Sequence, residues 1–273
     1  MTVIDWLRRT RDTSSVLTAL HRRLRGPYYW VLESLYPRGI SACLSGRMPV
    51  RLYPHLMGMR PETYEPILSA MLDRHTPKGG TVIDIGAHVG LHTLRLSERV
   101  GRAGRVIAVE PSPANSGLLR VHLTWNNCHN VEIMEAVIGD REDQVEFTFR
   151  ADPTDPGGFA NSLAYDIGGE TRKVRMTTID EICSNFRPDL IKIDIEGAEF
   201  FALRGARETL TRMAPVVIVA VHPEPMRLMG TTPAKLVALM SEYGYNGVHL
   251  DGRKVSVPGF EEILFEKRAQ GNG

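Results

Sequence analysis

A chain of 273 residues, 42% hydrophobic and 24% charged, can form one large domain, or one domain with an extension, and falls outside the disordered and fibrous classes. Its net charge of +1 gives no overall basic field, so no nucleic-acid partner is expected. The three cysteines, Cys43, Cys128 and Cys183, include no C-x-x-C pair, which argues against a disulfide framework or zinc knuckle and fits a reducing cytoplasm.

Residues 1–60 read as a helical extension. "VIDWLRRTRDTSSVLTALHRRLRG" puts Val16, Leu17, Leu20 and Leu24 on one helical face, with Arg22, Arg23 and Arg25 at its end. The aromatic-rich "PYYWVLESLYP" follows. The N-terminus lacks the apolar core of a signal peptide, and no stretch is long and apolar enough to span a bilayer. Trp6, Tyr28, Tyr29 and Trp30 are costly to leave in water. They are expected to pack on the main domain, on a second subunit of a homo-oligomer, or on the acceptor as a lid. Basic residues beside aromatics also suit peripheral contact with a membrane surface.

From residue 61 to 273 strands and helices alternate. "TVIDIG", "RVIAVE", "VEIMEAVIG", "DLIKIDI" and "PVVIVAVH" are strand-like, and amphipathic helical stretches separate them. "SPANSGLLRVHLTWNN" is one such helix, with Ser112 as its N-cap. Strands apolar on both faces and separated by helices predict an α/β fold, a mostly parallel Rossmann-like sheet covered on both sides. "NGVHL" and "EEILFEK" add a terminal antiparallel hairpin. The interruption at about 141–180 is read as an inserted hairpin, "QVEFTF" with "KVRMTTI", around a long loop in which Asn161 and Ser162 can reach a ligand.

Ligands of such sheets bind beyond the carboxyl ends of the strands. The first turn, "DIGAHVG" (Asp84 to Gly90), is neither G-x-G-x-x-G nor a P-loop with G-K-[ST]. Its acid repels phosphate and welcomes an ammonium or sulfonium. Glu110 ends the next strand, where a carboxylate can bind both hydroxyls of a ribose. A turn for a cationic amino-acid end and an acid for a ribose describe S-adenosylmethionine. The plain alternative is that Asp84 and Glu110 merely cap helices.

The segments "TVIDIGAHVGLHTL", "VIAVEPSPANSGLLRVHLTWNN", "TTIDEI" and "DLIKIDIEGAEFFALRGA" resemble the FkbM family of methyltransferases over roughly residues 60 to 222. The resemblance implies a class I S-adenosylmethionine fold and O-methylation of a hydroxyl on a sugar, glycolipid or polyketide-type natural product. Many members have an acid two residues before the histidine of "VHP"; here that residue is Ala220.

A hydroxyl is a weak acid, so its methylation calls for a base or a metal near the methyl group. Asp194 with His222 is the preferred catalytic pair and Glu196 the third member. The same carboxylates are an option for Mg²⁺. Glu199 is explained by the dipole of the helix it opens, and Lys192 is a counter-charge for one of the acids. The expected cofactor contacts are Glu65, Asp84, Gly86, Ala87, Gly90, Glu110, Pro111 and Asp194, with Thr93 on the methionyl carboxylate and Ala136 and Val137 on the adenine. His88 belongs to the same turn, with its ring expected to face outward. Adenine amino methylation calls for [DNS]-P-P-[YFW] where this chain has "DIEG", and Cys183 lies upstream of the position a cytosine-methylating thiolate needs. Methylation of a nucleic acid or protein, or a non-catalytic scaffold, remain the other readings; cofactor titration separates scaffold from enzyme.

Overall fold

The computed structural model describes residues 30–149, 161–162, 169–255, 259 and 261–268. Most of the predicted N-terminal helix, including Trp6, Tyr28 and Tyr29, lies outside the described residues. So does most of the inserted loop, and the side chains of Asn161 and Ser162.

Among the described residues the 1–60 segment is helical only at 30–35 and in a short 3-10 stretch, Pro54–Met59. Strands β1 (Ile40–Leu44) and β2 (Met48–Leu52) form an antiparallel hairpin instead. The reason is visible in "MPVRL": Met48, Val50 and Leu52 alternate inward and join Leu56, Leu91, Leu94 and Leu119 in one cluster. The expectation of a helical extension is corrected over residues 40–52, which form this hairpin.

Helix α1 (Pro66–His75) leads into β3 (Thr81–Ile85), α2 (Leu91–Val100), β4 (Arg105–Val109), α3 (Pro113–Trp125) and β5 (Val131–Met134). Ser112 caps α3, its hydroxyl accepting the Asn115 N–H. The short strand β6 (Val137–Ile138), with β7 (Asp143–Phe149), β8 (Asn161–Ser162) and β9 (Glu170–Thr177), makes a small separate sheet, β7 antiparallel to β9. A single helical turn, α4 (Ile179–Ile182), precedes β10 (Leu190–Ile193), α5 (Glu199–Arg204), β11 (Val216–Val221), α6 (Pro223–Leu228), α7 (Pro233–Glu242), β12 (Tyr245–His249) and β13 (Glu261–Lys267).

The main sheet has strand order β12-β13-β11-β10-β3-β4-β5, with β13 antiparallel to both neighbours and the others parallel. This is a mixed, mostly parallel α/β sheet with its antiparallel hairpin at one edge. Alternation assigns each strand's side chains to one of two layers. Ile83, Ile85, Ile191, Ile193, Val219 and Ile263 enter one core; Val82, Leu190, Ile218 and Leu264 enter the other, with Leu68 and Leu72 of α1. The chain reverses between β3 and β4 on one side and β10 on the other, so the turns after β3, β4 and β10 converge at the carboxyl end.

Candidate functional site

Those turns enclose a cavity of about 330 Å³. Glu65, Gly86, Ala87, His88, Glu110, Pro111, Ala136, Val137, Asp194 and Glu196 are all in its wall. Ile138 and Phe147, from the inserted sheet, close one side with apolar surface. Three wall residues, Glu65 (φ 39°), His88 (φ 53°) and Glu196 (φ 52°), hold left-handed backbone that non-glycine residues adopt at a cost of about 1–3 kcal/mol each. Strain of this kind persists where packing over-determines it, and here it is gathered at one cavity.

The first turn departs from the sequence expectation. Asp84 is fully buried and does not line the cavity. In register it sits beside Lys192, whose Nζ is 3.2 Å from Asp84 Oδ1, and Thr93 donates to Asp84 Oδ2 at 2.7 Å. Thr93 is buried too and is spent on this bond. Neither residue presents polar atoms to a ligand. Both brace the turn from behind, because Asp84 lies within the strand on the face that α1 and α2 cover. Gly90 is likewise outside the wall; it opens α2 with φ 93°, and a Cβ there would collide with Leu119. At Gly86 a Cβ would meet the Asp194 carbonyl oxygen at 1.8 Å, so only glycine lets the two turns touch. His88 is in the wall and partly exposed.

Glu110 is held by three donors. Its Oε2 accepts the His88 N–H at 2.9 Å, and Oε1 accepts the Ser112 N–H at 3.0 Å and the Asn115 amide at 3.1 Å. Burial pushes its carboxyl up to about 6 despite these bonds. With three of about four lone-pair positions used, one strong acceptor position remains, on Oε2. For the expected bidentate grip on two ribose hydroxyls, the bonds already made leave this one strong position. Glu65 faces the cavity from the N-terminus of α1, its Oε2 2.6 Å from His92 Nε2. Burial alone would raise it, yet His92 and Lys192 hold it below the usual carboxylate range.

The second turn carries the titratable groups. Asp194 stands one residue past β10 and is partly exposed. Lys192 is buried between the turns, 3.6 Å from Asp194 Oδ2, and donates to the Gly86 carbonyl at 3.1 Å. Against burial, Asp84 and Asp194 raise its pKa. His222, at the end of β11, is 5% exposed. Its Nδ1 is 2.7 Å from Glu199 Oε1, while Nε2 lies 3.6 Å from Asp194 Oδ1 and 3.9 Å from Glu196 Oε2. Burial disfavours the imidazolium, but Glu199, Glu196 and Asp194 outweigh it and lift His222 to about 9. Burial raises Glu196 as well.

Glu199 is the residue that sequence reasoning set aside. It is fully buried, takes the Gly197 N–H at 2.9 Å as well as the imidazole, and its Oε2 has no hydrogen-bond partner among the described residues. A helix-dipole acid needs no burial, so that account is insufficient. The signal was the spacing in "DIEGAE", which returns an acid to the strand end after one turn. Ala220 lies beside Asp194 and pairs with Glu262 of β13. Among the described residues, no group of three or more His, Cys, Asp or Glu side chains has the geometry to hold a metal ion. No described helix is long and apolar enough to cross a membrane.

The chain is similar to several known proteins. A solved methyltransferase FkbM from Methylobacillus flagellatus is 20% identical, with a TM-score of 0.46 over 68% of this chain and 43% of that one. An S-adenosylmethionine-dependent O-methyltransferase from Thermotoga maritima is 15% identical, with a TM-score of 0.45 over 86% and 80%. Methyltransferase 1 of Beauveria bassiana is 24% identical over 153 residues, 47% of this chain. AMB antimetabolite synthetase AmbE of Pseudomonas aeruginosa is 25% identical over 240 residues, 70% of this chain. The chain spans 59% and 11% of the lengths of these two relatives. The family model for the methyltransferase FkbM domain matches residues 84–246, more than half of the chain and every turn around the cavity. The chain belongs to the FkbM methyltransferase family.

Proposed function

We propose that the chain transfers the methyl group of S-adenosylmethionine to a hydroxyl of a sugar, glycolipid or polyketide-type natural product. The observation that carries this reading is the buried Glu199–His222 pair, whose Nε2 is turned toward the cavity-lining Asp194 and Glu196. A hydroxyl must lose its proton as it is methylated, and an imidazole fixed at Nδ1 offers Nε2 to take it.

The wall residues fit the cofactor. Glu110 has one acceptor position for a ribose hydroxyl, and Ala136, Val137, Ile138 and Phe147 offer an apolar slot for adenine. Glu65, not Asp84, is the carboxylate available to the methionyl ammonium. Lys192 is committed to Asp84, Asp194 and the Gly86 carbonyl, so this wall lysine is not available to a phosphate. When bound, S-adenosylmethionine supplies an electrophilic methyl carbon on a positively charged sulfur.

The chain's own residues then supply alignment and proton removal. Glu199 holds the tautomer, His222 takes the proton at Nε2, and Asp194 and Glu196 stabilise the resulting imidazolium. With His222 near 9, about 1% is neutral at pH 7, so turnover should climb roughly tenfold per pH unit up to that value. Mg²⁺ held by Asp194 and Glu196 is the competing account, and abolition by EDTA with rescue by Mg²⁺ would establish it. The relative named an antimetabolite synthetase fits a natural-product setting. Three cysteines outside any disulfide fit a cytoplasmic setting, and the exposed Trp30, Leu35 and Tyr36 favour a homo-oligomer.

The test is incubation of the protein with methyl-labelled S-adenosylmethionine and a panel of hydroxylated sugars and polyketides, followed by mass spectrometry and NMR of the products. Label on oxygen supports the reading. Label on nitrogen or carbon, or no transfer, overturns it.

A further inference from the structure

The residue that opens α1 directs its side chain away from its own helix. Glu65 sits at the N-cap, where a side-chain oxygen ordinarily accepts a backbone N–H, yet it makes no capping hydrogen bond. Only its backbone carbonyl joins the helix, accepting the Ser69 N–H at 2.9 Å. Its φ of 39° is left-handed backbone, which a residue with a Cβ adopts only under constraint. Tyr64, just before it, is pinned through its carbonyl, which takes the Ser45 hydroxyl at 2.8 Å from the β1–β2 turn. The Glu65 carboxylate stands in the cavity wall instead.

There it meets His92, a buried residue in the first turn of α2 that also lines the cavity. The imidazole Nε2 is 2.6 Å from Glu65 Oε2. Glu65 is held below the usual carboxylate range, so at neutral pH it is ionised and only accepts; the imidazole donates from Nε2. Tyr64 lies against the same imidazole, ring centroids 5.3 Å apart, and gives its hydroxyl to Glu65. Burial and the Glu65 and Asp194 carboxylates keep that hydroxyl protonated. His92 and Tyr64 together use two of about four acceptor positions on the carboxylate, and the Glu65 side chain is still 37% exposed.

The next residue of α2, Thr93, spends its hydroxyl on Asp84. Consecutive residues of one helix thus hold two acids, one behind the first turn and one in the cavity wall. A pair serving only to join α1 to α2 needs neither left-handed backbone nor a place in that wall. A mobile glutamate gives up rotamer freedom when a ligand binds, whereas this one has given it up on folding.

We propose that His92 is a positioning residue for the cofactor: with Tyr64 it fixes the Glu65 carboxylate to receive the methionyl ammonium. The proposal rests on the cofactor reading above and adds the group that prepares Glu65 for it.

The experiment is calorimetric titration of the full chain with S-adenosylhomocysteine and with its analogue bearing hydrogen in place of the α-amino group. The wild-type chain is expected to bind the amine at least about tenfold more tightly, the scale of one charge-assisted contact. Two replacements separate a donor from a filler. His92→Phe keeps a ring against Tyr64 and removes the donor; it should bind S-adenosylhomocysteine about tenfold more weakly and the analogue within about twofold of wild type. His92→Gln gives up the ring and keeps an amide that can donate; it should hold S-adenosylhomocysteine within about threefold. A residue that only packs would reverse that order. Tyr64→Phe, which leaves the imidazole in place, should weaken the amine alone, by about threefold. Equal loss toward both ligands, no loss in either Phe variant, or a His92→Gln as weak as His92→Phe overturns the proposal and leaves the cofactor reading standing. A wild-type chain that binds the two ligands equally removes Glu65 as the ammonium site, and one that binds neither removes the cofactor reading; the proposal falls with each.

Discussion

Two turns of this molecule look alike in sequence and differ in use. "DIG" at Asp84 and "DIEG" at Asp194 each place an acid at a strand end before a glycine. Asp84 pairs in register with Lys192, two residues before Asp194, so Asp194 stands roughly 6.6 Å further along its strand. That height decides which of the two acids reaches the cavity. The lower acid is sealed behind the turn by Lys192 and Thr93; the upper one opens on the cavity beside His222. An acid at the end of a strand is therefore informative only once its register against the neighbouring strand is known.

The comparison breaks most visibly at Lys192, which serves both turns. Lys192→Met leaves Asp84 buried without its counter-charge and should cost about 3–5 kcal/mol of stability, read by denaturant unfolding. Adding Asp84→Asn should recover part of that loss; a single variant as stable as the wild type would mean the pair is not what braces the turn. The next effect belongs to the second turn. Glu199→Gln should lower turnover by about 10²-fold and leave cofactor affinity within twofold, because Glu199 touches His222 and not the cavity. Glu110→Gln should weaken cofactor affinity about tenfold, roughly 1.4 kcal/mol, by calorimetry. The wild-type affinity should also fall as pH drops through about 6, since the protonated carboxyl loses its charge as an acceptor. Affinity unchanged between pH 7 and 5 would separate Glu110 from the cofactor.

The sheet was legible because its strands are short, apolar and β-branched, as in "TVIDI" and "VVIVAV", and the glycines of the first turn marked where it opens. The cavity wall was legible too: Glu110, Pro111, Ala136 and Val137 follow strand ends in chain order. What escaped was the orientation of side chains. Asp84 and Thr93 point at Lys192 and at each other, and that follows from pairing between β3 and β10, which are separated by more than a hundred residues. Glu199 read as a helix-dipole acid because its burial against His222 depends on where β11 ends. The β1–β2 hairpin escaped because its alternation spans only "MPVRL", beside a long helical pattern.

The central claim is that Glu199 holds a charged His222 at the mouth of the second turn, so that this turn and not the first handles the proton. An NMR titration of the His222 imidazole, with and without Glu199→Gln, tests it without knowledge of the acceptor. The account predicts a wild-type midpoint near 9 that falls toward the ordinary imidazole value of about 6.5 in the variant. A wild-type midpoint at or below 6.5, or one that Glu199→Gln leaves in place, would contradict it.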